Sequence, residues 1–492
     1  MSAHRDHPAA LNPEPHPADA GSQARHDADD AVDVVVIGAG PAGEVAAQYV
    51  KENSAFSVMI VERELLGGEC SYYACIPSKA LLTPISLAHQ SEDLSGVTPA
   101  GVDRQALLRR RDEWVGNYDD SSQYSWAEGA GLQVVRGEAR LIGERRVQVG
   151  ERTVGERTVE ARRAVVLATG SEAVIPAALQ PANPWTSRDA TGVREVPERL
   201  LIVGGGVVAC EAATWLASLG ASVTMLVRGK SLLGGMEPMA QDAVLKGLRG
   251  LGVTVELGTE VQSVDRPHVG DAQLGVPHGG EVTVHTSQGR RSADELLVAT
   301  GRRPRLEGVG LDSVGLSARP GSWEGNRPLP WLYVLGDASG EAPLTHWGKY
   351  RARCIGEEIA GLPTASAEPP VPQAVFTEPH VAAVGLTEEA AQAAGHSVVV
   401  SEVGAAAAGV ALSQDTPPDA ARLVVDADSG QLLGATFVGQ SLTEVVHSAT
   451  VAITGKVPVS QLRHAVASFP TASEIWLNLL EQLPASVRFP NA

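Results

Sequence analysis

The sequence predicts an α/β protein with two Rossmann-like nucleotide-binding domains and a separate α+β domain after them. Three observations carry this. A continuous apolar run, Asp33-Val34-Val35-Val36-Ile37, leads directly into Gly38-Ala39-Gly40-Pro41-Ala42-Gly43 and then a helical stretch. The same arrangement returns about 165 residues later, where Leu200-Leu201-Ile202-Val203 meets Gly204-Gly205-Gly206-Val207-Val208-Ala209. From about Glu368 the composition becomes Val-, Ala- and Thr-rich with strand–helix alternation. Short unbroken apolar runs of this kind are expected of strands buried on both faces.

Size and charge agree with this architecture. A chain of 492 residues suggests about three domains. Hydrophobic residues make up 43% and charged residues 20%, as in an ordinary folded protein. The net charge of −19 argues against a nucleic-acid-binding face, which must meet phosphates with cations. No basic amphipathic run points to a membrane surface, and the longest apolar stretches fall far short of the ~20 residues of a bilayer span. The N-terminal residues lack a charged start followed by an apolar stretch, so the expectation is a soluble, cytoplasmic protein. Four cysteines in this length make no disulfide framework. In a reducing compartment a close cysteine pair is catalytic or metal-binding.

Along the chain, residues 1–31 read as a disordered tail rich in Ala, Asp, Pro and His. His4, His7, His16 and His26 are irregularly spaced there, as in a solvated tail rather than a metal site. The first block places a strand over 33–37, a helix over 44–51 and a strand over 57–61 that ends in Glu62. Residues 134–167 alternate in short segments, including the near-duplicates Val149-Gly150-Glu151-Arg152-Thr153 and Val154-Gly155-Glu156-Arg157-Thr158. These read as an antiparallel meander. The second block places a strand over 200–203, a helix to residue 219 and a strand over 222–227. Residues 268–280 look like a surface loop.

Each glycine loop has the form that holds a pyrophosphate. The first Gly permits the tight turn, the second lets the backbone approach the phosphates, and the third (or an Ala) lets helix and strand pack. In the first copy these are Gly38, Gly40 and Gly43. Glu62, 24 residues after Gly38, stands where a carboxylate accepts hydrogen bonds from an adenosine ribose. In the second copy, Gly204, Gly206 and Ala209, the acidic position is Val227 and is followed by Arg228, with Lys230 nearby. Cations there suit a 2′-phosphate that an acid would repel, so this loop favours NADP(H) over NAD(H).

The most informative stretch is Gly67-Gly68-Glu69-Cys70-Ser71-Tyr72-Tyr73-Ala74-Cys75-Ile76-Pro77-Ser78-Lys79. Cys70 and Cys75 are five apart, which is neither zinc-knuckle nor thioredoxin spacing, and no second pair completes a metal site. On a regular helix five residues rise ~7.5 Å and turn ~140°. A disulfide wants Cα atoms within about 7 Å, so a bridge here requires a distorted helix start. Spacing alone leaves open a redox-active pair or two buried thiols.

The stretch resembles the redox motif of the FAD-dependent pyridine nucleotide–disulfide oxidoreductases, a family that includes dihydrolipoamide dehydrogenase, glutathione reductase and mercuric reductase. The resemblance extends along nearly all of the chain after residue 32. Ala168-Thr169-Gly170 and Ala299-Thr300-Gly301-Arg302-Arg303-Pro304 resemble its two chain-crossing motifs. Leu332-Tyr333-Val334-Leu335-Gly336-Asp337-Ala338 resembles its second flavin motif, whose Asp holds the ribityl chain. Val375-Phe376-Thr377-Glu378-Pro379 and Val384-Gly385-Leu386-Thr387-Glu388 resemble the opening of its dimerisation domain. The resemblance implies a cytoplasmic homodimer. It divides the chain into an FAD-binding domain over 32–170, an NAD(P)-binding domain over 171–298, a central part of the FAD domain over 299–366 and a dimerisation domain over 367–492.

The same resemblance implies that hydride passes from nicotinamide to FAD and electrons then pass to the cysteine pair. Cys75 would face the flavin, and Cys70 would be the exchange thiol. Lys79 and Glu211 match a Lys–Glu pair beside the flavin ring. Thr169, Gly170, Gly301, Gly336 and Asp337 would contact the flavin nucleotide. Cys210 and Cys354 match no redox role and are expected to be buried structural thiols.

Three departures stand out. Tyr72 and Ala74 replace the family's Asn and Gly inside the redox motif. The C-terminal motif, His-Pro-Thr-x-Ser-Glu in the family, reads Phe469-Pro470-Thr471-Ala472-Ser473-Glu474. The acid–base His, supplied by a partner subunit in the family, is thus Phe469, while the Glu that orients it remains as Glu474. His464 lies upstream and out of register. General acid–base help contributes ~10²–10⁴-fold, so ordinary disulfide turnover should be slow, whereas electron transfer to a quinone, a metal ion or oxygen needs this His less; the expected acceptor is a small molecule (disulfide, quinone or metal).

A conventional dihydrolipoamide or disulfide reductase is the alternative. Two weaker readings are a 2-ketopropyl-coenzyme M carboxylase-like enzyme, a branch that shares the Phe but lacks the Glu, and a flavoprotein without turnover. Mercuric reductase is disfavoured, because residues 475–492 hold no Cys pair and the tail has no CxxC.

Overall fold

The computed structural model describes residues 30–92, 94–151, 155–319, 322–323, 325–364, 368–404, 407–415 and 420–490. The histidine-bearing tail (His4, His7, His16 and His26) lies outside the described residues, as do Arg152, Thr153 and Val154 of the near-duplicate. The chain forms two compact units.

The first unit gathers residues 30–77, 112–172 and 302–364. Its sheet has six strands. Asp30–Ile37 lies between Val58–Glu62 and Gly155–Leu167, parallel to both, and Leu332–Val334 adds a further parallel strand beyond Gly155–Leu167. Gln133–Gly143 begins parallel to Val58–Glu62, then turns into the expected antiparallel meander with Arg146–Glu151 and Gly155–Leu167. Val34, Val36, Val165 and Val166 have no exposed surface, as the unbroken apolar runs require. The helix Pro41–Glu52 starts earlier than expected, because Pro41 occupies its first turn, where a missing N–H costs nothing.

A second helix, Thr345–Ile359, packs closely on Pro41–Glu52. Two glycines set the spacing. A Cβ on Gly348 would lie 3.3 Å from the Ala42 Cβ, and one on Gly356 would lie 2.6 Å from the Tyr49 Cβ.

The second unit gathers residues 78–111, 173–301 and 368–490. One sheet is parallel, in the order Glu295–Val298, Arg199–Val203, Ser222–Val227, Thr254–Leu257. A three-stranded antiparallel sheet joins Val261–Asp265, Val282–Thr286 and Gly289–Ala293. The C-terminal part is a five-stranded antiparallel sheet, ordered Gln373–Val375, Val381–Gly385, Leu432–Val438, Ala420–Asp426, Val398–Gly404. Helices Val446–Thr454 and Ile475–Gln482 pack on it through Ala449, Ile475 and Leu479, all without exposed surface. The helix Cys75–Glu92 begins in the first unit and continues into the second, where it carries Lys79.

Two expectations need correction. Residues 268–280 are not merely a surface loop, because His278 is buried. Its backbone N–H donates to Glu295 Oε2 at 2.5 Å, and its ring reaches the Asn183 carbonyl at 3.0 Å and Asp189 at 3.5 Å. Glu295 in turn accepts two hydrogen bonds of 2.9 Å from the fully buried Arg266 guanidinium. Arg266 also donates to the carbonyls of Gly280, Ala182 and Asp294. This fully hydrogen-bonded ion pair offsets the cost of taking both charges out of water. Cys354 is the second correction. It is only half-buried and faces the Tyr350 hydroxyl, whereas Cys210 is fully buried and its thiol is pushed up to about 12 by loss of solvent.

Candidate active site

In the first unit the phosphate loop and the cysteine pair are built as one piece. Gly38 takes φ +101°, and a Cβ there would meet the Ala168 carbonyl oxygen at 2.4 Å. A Cβ on Gly43 would meet the Gly38 carbonyl oxygen at 2.0 Å. At Gly40, by contrast, a Cβ would meet nothing within 4 Å, so the backbone at this helix N-terminus faces open space. That is the cradle a pyrophosphate requires, with N–H groups and the positive end of the helix dipole at its rim. Glu62 stands at its side. Its two carboxylate oxygens accept the amide N–H groups of Ala39 (2.7 Å) and Glu64 (2.8 Å). Burial raises its pKa, and these two bonds oppose the rise.

The short helix Gly68–Tyr72 sits directly on this loop. The Gly67 N–H donates to the Ala39 carbonyl at 2.8 Å, and a Cβ on Gly68 would come within 2.7 Å of the Gly40 Cα. The helix then breaks at Tyr73 (φ −133°, ψ 0°), and Cys75 opens the next helix. The break supplies the distortion that the spacing demanded. It brings the sulfurs of Cys70 and Cys75 into hydrogen-bond contact, although the two are not bonded here.

A residue unforeseen from sequence joins them. The Thr345 hydroxyl donates to the Cys70 sulfur at 3.1 Å and lies 3.4 Å from the Cys75 sulfur. The hydrogen bond from Cys70, and after it the one to Thr345, draws the Cys75 thiol down in pKa. The Cys70 thiol, as the partner that keeps the proton, is driven up by the same bond and then by burial. The lower pKa of the pair thus falls to Cys75. No motif marks Thr345. A threonine heading a helix suggests a cap, but the N-cap is Leu344, which leaves the Thr345 hydroxyl for the sulfurs.

Tyr72 does not crowd the pair. It is buried and turned toward Gln123, whose Oε1 accepts its hydroxyl at 3.2 Å, and Tyr73 stacks on Tyr118 with ring centroids 5.5 Å apart. Thr169, Gly170 and Asp337 come together as the sequence places them. Thr169 donates to the Arg305 carbonyl (2.6 Å), and the Arg305 N–H donates to Gly170 (2.9 Å). Asp337, which follows Gly336 (φ +64°), accepts the Ser171 hydroxyl at 2.5 Å. Ser171 in turn accepts from Arg302 Nε at 2.8 Å, a relay that no motif announced.

In the second unit, the second glycine loop repeats the closed–open–closed pattern. A Cβ on Gly204 would meet the Ala299 carbonyl oxygen at 2.3 Å, while the space at Gly206 is open and the Ala209 side chain is fully buried. Val227 is buried beneath Gly205, and Arg228 and Lys230 are exposed at the strand end. Gly301 takes φ +128°, and its carbonyl accepts the Val174 N–H at 3.0 Å.

Lys79 and Glu211 meet through Phe376. The Lys79 ammonium lies 3.4 Å from the Phe376 ring centroid, and Glu211 accepts the Phe376 N–H at 2.9 Å. Burial lowers the Lys79 pKa, while Glu211, Glu444 and Glu378 raise it. Phe376 itself packs edge-on against His380, 5.3 Å between centroids, and loss of solvent pulls the His380 pKa down to about 4.

At the C-terminal motif, Phe469 is 74% exposed and the nearby Val466 is 95% exposed. Glu474 accepts the Ala408 N–H at 3.1 Å, and His464 is exposed. Among the described residues no helix is long and apolar enough to cross a membrane.

Comparison with known proteins agrees with this arrangement. Residues 32–352 match the family described as pyridine nucleotide-disulphide oxidoreductase, and residues 371–479 match its dimerisation domain. A dihydrolipoyl dehydrogenase of Haloferax volcanii is 32% identical over 464 residues, 91% of this chain and 95% of that protein. One from Chlorobaculum parvum is 32% identical over 455 residues, 90% of this chain and 95% of its own. Among solved structures, LpdA from Mycobacterium tuberculosis superposes with a TM-score of 0.81 at 21% identity, covering 93% of this chain and 100% of that one. The Cu(II) complex of the HOCl-induced flavoprotein disulfide reductase RclA from Escherichia coli gives 0.79 at 23% identity, with 92% and 100% covered. At these identities the structural likeness speaks for the fold.

Proposed function

The chain belongs to the pyridine nucleotide-disulphide oxidoreductase family, and from that premise we propose that it passes electrons from NADPH through FAD into a Cys70–Cys75 disulfide and on to a small acceptor. The family supplies the cofactor classes, FAD and a pyridine nucleotide, and its dimerisation domain supports a homodimer. The observation that carries the reading is the joint construction of cradle and sulfurs: Gly68 seated on Gly40, and Thr345 touching both Cys70 and Cys75.

The open space at Gly40 fits a dinucleotide pyrophosphate, and Glu62 fits its ribose. Thr169, Gly170, Gly301, Gly336 and Asp337 would hold the remainder of the flavin nucleotide. Bound FAD supplies hydride acceptance and two-electron delivery. Cys75, whose thiol is drawn down in pKa, is the sulfur suited to face the ring. Cys70 is the exchange sulfur that the family resemblance implies, and its thiol must lose its proton before it attacks an acceptor. Lys79, oriented with Glu211 about Phe376, would place positive charge near the ring. Gly204, Gly206 and Ala209 would hold the nicotinamide nucleotide, and the exposed Arg228 would pair with a 2′-phosphate.

Phe469 brings no proton to the exchange thiol, and Glu474 is engaged with the Ala408 amide. This favours a small acceptor that needs little acid–base help, such as a quinone or metal ion, while a disulfide acceptor would turn over slowly. The sequence relatives favour the second reading, reduction or oxidation of lipoamide.

Anaerobic titration tests the route. Flavin and disulfide each accept two electrons, so the wild-type protein consumes two equivalents of NADPH per FAD and Cys75→Ser consumes one. Full bleaching of the wild type by a single equivalent removes the cysteines from the path.

A further inference from the structure

The helix Thr345–Ile359 presents more than one hydroxyl. Thr345, Lys349 and Arg353 are four residues apart and therefore fall in one row on its surface. The row begins at the hydroxyl 3.1 Å from the Cys70 sulfur. Lys349, one turn on, is exposed, and its charge acts on the Cys70 thiol. Arg353, the next turn, is half-buried against the Tyr350 ring, 6.0 Å from its centroid. Neither cation has a carboxylate at ion-pair distance among the described residues, whereas Arg351 beside them pairs with Glu341 at 3.3 Å.

Lys349 acts on the Glu44 carboxyl, which burial nonetheless pushes up to about 7 and whose Oε1 is buried without a hydrogen-bond partner. Trp347 and Tyr350 stack with ring centroids 5.4 Å apart and give the row an apolar flank. In a chain of net charge −19, residues 345–355 contain no Asp or Glu.

A lysine one turn from the hydroxyl that touches the Cys70 sulfur, with an arginine one turn further along the same row and no carboxylate paired to either among the described residues, is a recognition element in an acidic protein. We infer that the Lys349–Arg353 row binds the acceptor, and that the acceptor reduced at Cys70 carries a carboxylate or phosphate close to its reacting bond. This rests on the reading that Cys70 is the exchange sulfur. With a disulfide acceptor, the Cys70 thiolate attacks one acceptor sulfur, a mixed disulfide forms, and the first acceptor thiolate leaves. Cys75 then attacks the Cys70 sulfur, the Cys70–Cys75 bond forms, and the second thiolate leaves. The dithiol loses two electrons and two protons, the acceptor gains both, and NADPH restores the dithiol.

The test uses two alkylating reagents that differ in charge, on holoenzyme reduced with dithiothreitol and with Cys70 labelling followed by peptide mapping. The ratio of iodoacetate to iodoacetamide rates at Cys70 is expected to exceed that of 2-mercaptoethanol by about tenfold, and to fall toward it in 0.5 M NaCl as the cations are screened. K349M/R353M brings the ratio down to that of the simple thiol, K349E takes it below, and K349R keeps it high. A ratio rather than a rate is read, so a general change in thiol reactivity cancels. In turnover, 3,3′-dithiodipropionate is preferred over cystamine by about tenfold in kcat/KM, and K349E reverses the order. A wild-type ratio equal to that of 2-mercaptoethanol, or one untouched by K349M/R353M, overturns the inference. Failure of NADPH to reduce the pair overturns the electron route instead, a result on which the alkylation ratio does not depend.

Discussion

Thr345 donates its hydroxyl to the Cys70 sulfur at 3.1 Å, and because that oxygen also lies 3.4 Å from Cys75 it sits where the negative charge of the reduced pair is decided. Hydrogen bonds to charged groups contribute about 1.5–3 kcal/mol, and 1.36 kcal/mol corresponds to one pKa unit. When Cys75 ionises the hydroxyl turns its proton to that sulfur, so Thr345→Val should raise the pH at which the Cys75 thiolate forms by about one to two units. A pH titration of thiolate absorbance in the reduced protein checks this. Thr345→Ser, which restores the hydroxyl, should return the midpoint.

Phe469→His should increase turnover of a small disulfide by about tenfold or more, with the ~10²–10⁴-fold of general acid–base help as the ceiling. Phe469 is 74% exposed within the single chain, so the substitution should leave the fold of the chain itself intact. Anaerobic NADPH oxidation with a disulfide acceptor measures it. No gain in rate shows that proton supply was not limiting.

Arg228 stands exposed where the second phosphate loop meets its strand end. Arg228→Glu should move the coenzyme preference, as the ratio of kcat/KM for NADPH and NADH, toward NADH by about tenfold or more, because a carboxylate repels a 2′-phosphate. An unchanged ratio removes Arg228 from coenzyme selection.

Glu44 gives a pH-dependent stability term. Burial raises its pKa from 4.5 to about 7. At low pH the carboxyl is protonated in both the folded and the unfolded chain. As pH rises past 4.5 the unfolded chain ionises first and folding is weakened, until the full penalty is reached above about 7. Glu44→Gln should thus stabilise the protein by on the order of 2–3 kcal/mol at pH 8 and by almost nothing at pH 4. Denaturant unfolding at the two pH values provides the comparison.

Arg266 and Glu295 form the fully buried ion pair of the second unit. Removing one partner of such a pair costs about 3–5 kcal/mol, because the other charge is left unpaired. Arg266→Met should unfold at markedly lower denaturant concentration. Arg266→Met/Glu295→Leu should recover part of the loss, and a purely additive double variant shows that the two side chains are not coupled.

The parts of the fold that rest on local rules are legible in the sequence. Both glycine loops, the flanking buried strands and the meander are written in short-range patterns of apolar runs and turn residues. Glu62 follows from its position at a strand end, and Asp337 from the resemblance of the motif that carries it. Contacts closed by chain segments far apart in sequence leave no local signature. Thr345 lies 275 residues from Cys70, and Phe376 lies 165 from Glu211. His278 was misplaced on the surface because Gly-rich flanks suggest an exposed loop. Its burial depends on Glu295 and Asp189, which supply what a buried imidazole and backbone N–H require.

The glycines at 348 and 356 act as a gauge. By lacking one methyl group each, they fix how deeply the helix headed by Thr345 nests against the helix of the nucleotide cradle. Thicken that seam and the hydroxyl is levered off its sulfurs while every redox residue is still present. The thiol chemistry of this protein is thus calibrated from outside its reacting atoms, and a neutral-looking Gly→Ala change at 356 could detune it.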